Sequence, residues 1–191
     1  MRTAFKEWAV IVEALGRGMQ VLILRKGGIA EGRNGFQLDH SRCLLFPTHV
    51  HQHRSQVTSS GEAVYDEVSS RSVADGRVEI RYRAEVTGWR KINSCDEALR
   101  LSPLHIWRPG VVAGRFVWGR EQAIVAIALR VFRLRCPADL PLLPAYGGCR
   151  SWIELAEDVG ENAEPVLNDS DYAAHISALE AALGGSLTSS C

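Results

Sequence analysis

Lysine is scarce in this chain: three residues (Lys6, Lys26 and Lys91) stand against 19 arginines in 191 residues. Arginine suits bidentate contact with phosphate or carboxylate, although a coding bias toward arginine and alanine gives the same excess. The five cysteines are odd in number and include no Cys-x-x-Cys pair, which argues against a disulfide framework. Long apolar runs are missing as well. The longest, residues 9–12 and 123–129, fall far short of the roughly 18–20 residues that span a bilayer. Residues 1–8 lack an apolar segment ending in a small-residue cleavage site, so a cytoplasmic protein with no membrane contact is expected. Neither Gly-x-x-x-x-Gly-Lys-Ser/Thr nor the dinucleotide-binding glycine fingerprint nor Gly-x-Ser-x-Gly is present, so no short motif fixes a reaction.

What is present is ordinary globular composition, 46% hydrophobic and 23% charged, in a length that fits one domain with a small appendage. The net charge of zero hides a split. Residues 1–150 hold all 22 basic residues and 14 acidic ones, whereas residues 151–191 hold eight acidic residues and no Lys or Arg. A basic body binds anions, nucleic acid among them, and an acidic tail can compete for the same patch or stay solvated.

Hydrophobic periodicity predicts the elements. Phe5, Trp8, Val12 and Leu15 share one face of a helix, with a strand turning at Leu15–Gly18 as the alternative. Residues 19–25 and 43–48 read as buried strands, the second stopped by Pro47. The polar segment 53–76 reads as mobile loop with a weak helix over 63–68. Residues 77–92 alternate cleanly and predict a half-buried strand. Ser94 opens a capping box for a short helix to about Leu101, and Pro109 opens a short helix or turn through Phe116. Residues 122–134 are the strongest strand, after which Pro137, Pro141 and Pro144 predict an extended crossing. Residues 156–191 read as an acidic linker and an amphipathic helix, capped by Ser170, striped by Tyr172, Ile176, Leu179 and Leu183, and stopped by Gly184. These elements make one α+β domain over 1–155: a small mixed β-sheet or partly open barrel with flanking short helices and a C-terminal helix.

Candidate chemistry is scattered. Arg25-Lys26-Gly27-Gly28 follows a strand, and glycines there let backbone N–H groups converge on an anion. His49, His51 and Gln52 follow the strand end at Pro47–Thr48, and a histidine near neutral pKa serves as general base or donor. The paired Cys or His spacing of structural zinc sites is missing, so neither metal nor cofactor is assigned. Trp107 and Trp118 lie beside basic residues, as base stacking requires, yet tryptophan is more often core. Glu79 and Glu85 are the carboxylates a divalent metal would need under a nuclease reading.

Phe5-Lys6-Glu7-Trp8-Ala9-Val10 with Leu24-Arg25-Lys26-Gly27-Gly28-Ile29, Leu44-Leu45-Phe46-Pro47-Thr48 with His51-Gln52, and Leu104-His105-Ile106-Trp107 with the strand from Ala128 to Leu134 together resemble a bacterial family, domain-of-unknown-function family 1802, over about residues 4–155. That resemblance implies no established activity, and only a lean toward DNA modification or defence. The element order also resembles PUA-like barrels such as the EVE and ASCH modules, which implies nucleic-acid binding by fold analogy. The leading expectation is therefore a module that binds DNA, RNA or nucleotides through Arg25, Lys26, Gly27, Gly28, His51, Gln52, Trp107 and Trp118. The alternative is a metal-dependent phosphodiester or nucleotide hydrolase using His49 or His51 with Glu79 or Glu85. A protein-interaction subunit is the fallback.

Overall fold

A computed structural model describes residues 1–26, 40–71, 76–148 and 150–189. Its centre is two long antiparallel strands, β4 (Arg77–Ile92) and β5 (Ile124–Pro141), paired over most of their length. They belong to one mixed sheet. β2 (Leu22–Arg25) pairs with β5, β3 (Arg42–Thr48) pairs with β4, β1 (Thr3–Trp8) runs parallel to β3, and β6 (Trp152–Glu154) closes the outer edge of β1. Two short strands, β7 (Ala163–Pro165) on β5 and β8 (Thr188–Ser189) on β4, complete it. The class is α+β, and the sheet curls into an open half-barrel.

Two irregularities in the β4–β5 ladder account for the curl. Thr87 is an extra residue between the pairs Val86↔Leu129 and Gly88↔Ala128, and Arg81 alone faces the four residues Leu134 to Pro137. A bulge strengthens the local twist and bends the strand. The second irregularity sits at Pro137, which has no N–H to give the ladder. The proline-rich stretch thus stays in the sheet, and Ala138–Pro141 pair with Arg77–Ile80. Pro47 does not end β3 either. It lies opposite Glu7, beyond the three residues of β3 that pair with β4, where no donor is needed on that side.

Among the described residues, five helices cover the sheet. The first contact between expectation and structure fails at the N-terminus: residues 3–8 are strand, and only Ala9–Gly16 are helix α1. Every residue of α1 is buried, so no polar face was available to reveal its period, and Phe5 and Trp8 belong to the strand. Helix α2 (Ser59–Ser70) replaces most of the predicted loop. It buries Gly61, Val64 and Val68 at three- and four-residue spacing among serines and acids, and packs beside α1. Helices α3 (Cys95–Arg100), capped by the Ser94 hydroxyl, and α4 (Pro109–Val117) form close to their predicted bounds. Helix α5 (Asp169–Leu183) is capped by Asn168 rather than Ser170, because the Asn168 side chain accepts from the Asp171 N–H at 2.8 Å. Gly184 ends it at φ +66°, a conformation glycine adopts without strain.

The larger core lies between the sheet and helices α1, α2, α4 and α5, with Trp107, Tyr82 and Leu15 fully buried. A smaller one on β3, the first half of β4 and β6 joins Phe46, Val78, Ile80 and Tyr146. No helix among the described residues is long and apolar enough to cross a membrane.

Candidate functional site

Where the parallel strands β1 and β3 end, side by side at Trp8 and Thr48, the chain leaves the sheet twice and opens a cleft of about 1130 Å³. One exit is the buried helix α1. The other is the turn through His49, Val50 and His51, in which His51 takes φ +65°, uncommon for a residue with a side chain. Gln52 fixes this turn to the helix. Its Oε1 accepts from the Val10 N–H at 3.2 Å, and its amide nitrogen lies 3.2 Å from His49 Nδ1. Gln52 is thus a buried strut beneath the cleft. Desolvation holds His49 below the ordinary histidine pKa.

The wall facing α1 is built from charge. Glu13, the one acid in an otherwise apolar helix, has a side chain only 8% exposed. It receives Arg17 at 2.9 Å, Arg71 at 3.0 Å, Arg81 at 3.4 Å and the Tyr82 hydroxyl at 3.4 Å. Glu67 of α2 bridges Arg17 and Arg71 at 2.6 and 2.5 Å. Burial by itself would raise the Glu13 pKa, but the hydrogen bonds and charges of Arg71 and Arg17 outweigh it and hold the carboxyl below its ordinary value. A β-carbon at Gly16 would sit 2.0 Å from the Tyr82 ring, so glycine there lets Tyr82 lie flat under the helix end.

Further round, Lys6 donates to the carbonyls of Tyr146 and Gly148 at 2.8 and 2.6 Å. Arg25 pairs with buried Glu7 at 3.4 Å, donates to the Ser151 hydroxyl and lies over the Phe5 ring. Arg77 is held by Asp139 at 2.6 Å. Arg150 has no ion-pair partner among the described residues. Lining cations (Lys6, Arg25, Arg71, Arg77, Arg81, Arg150) outnumber lining carboxylates (Glu13, Glu79, Asp139), and the half-buried Trp8 supplies aromatic surface, with Phe46, Tyr82 and Tyr146 buried behind the lining.

Behind Trp8 the wall is a stack. The Arg115 guanidinium lies 4.8 Å from the ring centres of both Trp8 and Trp107, and donates to the Leu24 carbonyl at 3.0 Å. His105 meets Trp107 edge-on at 5.2 Å. His105 is 5% exposed, and neither ring nitrogen makes a well-formed hydrogen bond. Burial, then the positive Arg115, push its pKa down to about 4, while nearby backbone carbonyls oppose this weakly. Between pH 6.5 and 4 the unfolded chain therefore binds a proton that the folded chain refuses. Stability present above pH 6.5 is expected to fall as pH drops toward 4, by up to about 3 kcal/mol. Urea unfolding from pH 7 to 4 checks this: His105→Phe removes that slope, and an unchanged slope contradicts it.

The structure brings some predicted site residues together and parts others. Arg25, His49, His51 and Glu79 line the cleft, with Gln52 beneath it. Lys26 does not line it. Its ammonium is fixed on the carbonyls of Phe116, Glu121 and Ala123, joining β2 to the end of α4. Trp107 is fully buried and supports the wall through Arg115. Trp118 is 59% exposed and outside the cleft lining. Gly27 and Gly28 lie outside the described residues. Glu85 is bonded to Arg83 at 2.7 Å and faces Arg42, so it does not join Glu79 at a common point. Among the described residues no three His, Cys, Asp or Glu side chains converge as a metal site would need.

The acidic C-terminal part docks on the basic body, but not on the cleft. Glu161 pairs with Arg42 at 2.6 Å, Glu164 with Arg135 at 2.5 Å and Asp169 with Arg130 at 2.7 Å, and none of the lining residues comes from 151–191. The tail therefore neutralises arginines elsewhere and leaves the cleft basic.

Sequence reading missed Glu13, Arg71, Arg81 and Arg150. Glu13 carried a usable signal: a lone acid inside Ala-Val-Ile-Val-Glu-Ala-Leu sits where the helix is buried all round, and a buried charge needs partners.

The profile of a domain of unknown function, DUF1802, matches residues 4–178. The chain belongs to the DUF1802 family. The match passes residue 155 and takes in β7 and most of α5, which share the sheet and core of the DUF1802 fold here. No curated protein and no solved structure matches the chain.

Proposed function

We propose that the cleft of this DUF1802 protein binds a nucleotide or a segment of nucleic acid, and that it binds without cleaving. The observation that carries this reading is a wall in which cations outnumber carboxylates two to one beside the half-buried Trp8. Phosphate needs the cations and a base needs the aromatic faces. At about 1130 Å³ the cleft exceeds the roughly 300–1,000 Å³ of ordinary small-molecule pockets, which suits a ligand longer than one metabolite. An open, curved mixed sheet is also what the PUA-like resemblance implies, and those modules bind nucleic acid. Glu79 and Glu85, kept apart and each beside arginine, give the hydrolase reading no common metal point.

The test is fluorescence anisotropy with short single- and double-stranded DNA and RNA at several salt concentrations. Affinity is expected to fall with salt, each phosphate contact adding about 0.7 to the log–log slope for single strands. Arg150→Ala with His51→Ala, both on the rim, is expected to weaken binding about tenfold. Lys26→Ala is expected to lower stability while leaving affinity unchanged, since its ammonium ties backbone together away from the cleft. Binding that is flat in salt and unmoved by the rim variant would overturn the proposal.

A further inference from the structure

Three guanidinium groups, those of Arg17, Arg71 and Arg81, gather on the cleft wall around Glu13. Their bonding is unequal. Arg17 and Arg71 each hold two carboxylates at hydrogen-bond distance, Glu13 and Glu67. These four groups balance in charge and tie α1 to α2. Arg81 is the loosely held cation of the group, with Glu79 as its distant counterion. Its Nη1 reaches Glu13 at 3.4 Å, a long contact to an oxygen that Arg71 already occupies, and its Nε is 3.7 Å from Glu79, beyond hydrogen-bond range. No partner of its Nη2 is found among the described residues. The fork that makes arginine a phosphate ligand is thus held only by two long contacts.

The backbone aims this residue. Arg81 is the single β4 residue facing the four-residue excursion of β5 around Pro137, and bulges beside sites commonly re-aim one side chain. Tyr82, next along, is clamped under Gly16 and lies between the guanidiniums of Arg81 and Arg133, 5.9 and 5.3 Å from its ring centre.

We propose that Arg81 is the phosphate-binding residue of the cleft, and that Glu79 is the carboxylate the phosphate displaces. This rests on the nucleotide reading given above. The class of ligand is a phosphate monoester or diester carrying a planar, uncharged ring system. Binding proceeds by exchange: Arg81 gives up its long contact with Glu79 and closes its fork on two phosphate oxygens, and Glu79, 54% exposed, turns to water.

The test uses the full chain and two probes, a fluorescein-labelled eight-nucleotide single-stranded DNA by anisotropy and inorganic pyrophosphate by calorimetry. Arg81→Gln is expected to weaken DNA binding about tenfold and to flatten the log–log salt slope by about 0.7; Arg81→Lys keeps the charge without the fork and falls between. Glu79→Gln, a change on an exposed side chain, is expected to tighten binding about threefold at low salt, and stands even if the Arg81 variants fold poorly. If wild type binds DNA while Arg81→Gln and Glu79→Gln both match it within twofold, the assignment of Arg81 is overturned and the cleft reading survives. If wild type ignores DNA but takes up pyrophosphate, and Arg81→Gln abolishes this, the nucleic-acid reading fails and the anion subsite stands. If wild type binds neither probe, both fall.

Discussion

A chain ending at residue 150 is expected not to fold. The removed segment supplies β6 to the free edge of β1, β7 to β5, and helix α5 to the main core. It carries five buried apolar side chains, Ile153, Leu155, Val159, Leu179 and Leu183, and Trp152, edge-on to Phe5 at 4.9 Å. At about 1.5–3 kcal/mol per buried aliphatic side chain, the loss is on the order of 10 kcal/mol, comparable to the whole stability of an ordinary domain. The acidic residues would go as well, but they sit on Arg42, Arg130 and Arg135, so losing them would free no carboxylate-bound cation of the cleft. Far-UV circular dichroism and thermal melting of the 1–150 chain decide the matter. A cooperative transition near that of the full chain would contradict this account of the C-terminal part.

The second large effect is expected at Glu13. Glu13→Ala leaves Arg17, Arg71 and Arg81 facing one another around an emptied, nearly buried position. Removing one partner of such a buried network destabilises by about 3–5 kcal/mol, roughly a 10 °C fall in Tm for a chain of this size. Glu13→Gln keeps an accepting oxygen and falls between. Because the folded Glu13 pKa lies below its ordinary 4.5, its contribution is present above pH 4.5 and is lost as pH falls below that. Stability should therefore fall in two overlapping stages, through His105 between pH 6.5 and 4 and through Glu13 below 4.5. Thermal melts of wild type and both variants at pH 7 and pH 4 measure this. Equal melting temperatures for wild type and Glu13→Ala at pH 7 would show that the arginines need no counterion.

These expectations explain which parts of the molecule the sequence discloses. β4 is legible to the residue, since one face is buried and the other wet, and period 2 reports that directly. α1 is illegible for the opposite reason: buried on every side, it has no amphipathic period, and its strand-like neighbours Phe5 and Trp8 blur the boundary. α2 hides because only Gly61, Val64 and Val68 are buried among serines and acids, which reads locally as loop. At the site, Arg25, His49, His51 and Glu79 come to line the cleft because β2, β3 and β4 form near their expected places, although His51 sits in a turn rather than on an extended segment. Trp107 misled. A tryptophan next to Arg108 looks like a stacking platform, but its cation is Arg115, eight residues on, and the stack is internal. Arg71 and Arg81 meet Glu13 only through tertiary packing, which spacing along the chain does not report.

The central claim is that a phosphate-bearing, planar ligand sits in the cleft against Trp8. The direct measurement is a titration of the 15N-labelled protein with a short single-stranded DNA, following the indole N–H signals of the five tryptophans. The expected result is a saturable shift of Trp8 and a smaller one of Trp107, coupled through Arg115, with exposed Trp118 unmoved. A shift of Trp118 with Trp8 silent would put the ligand elsewhere and contradict the account.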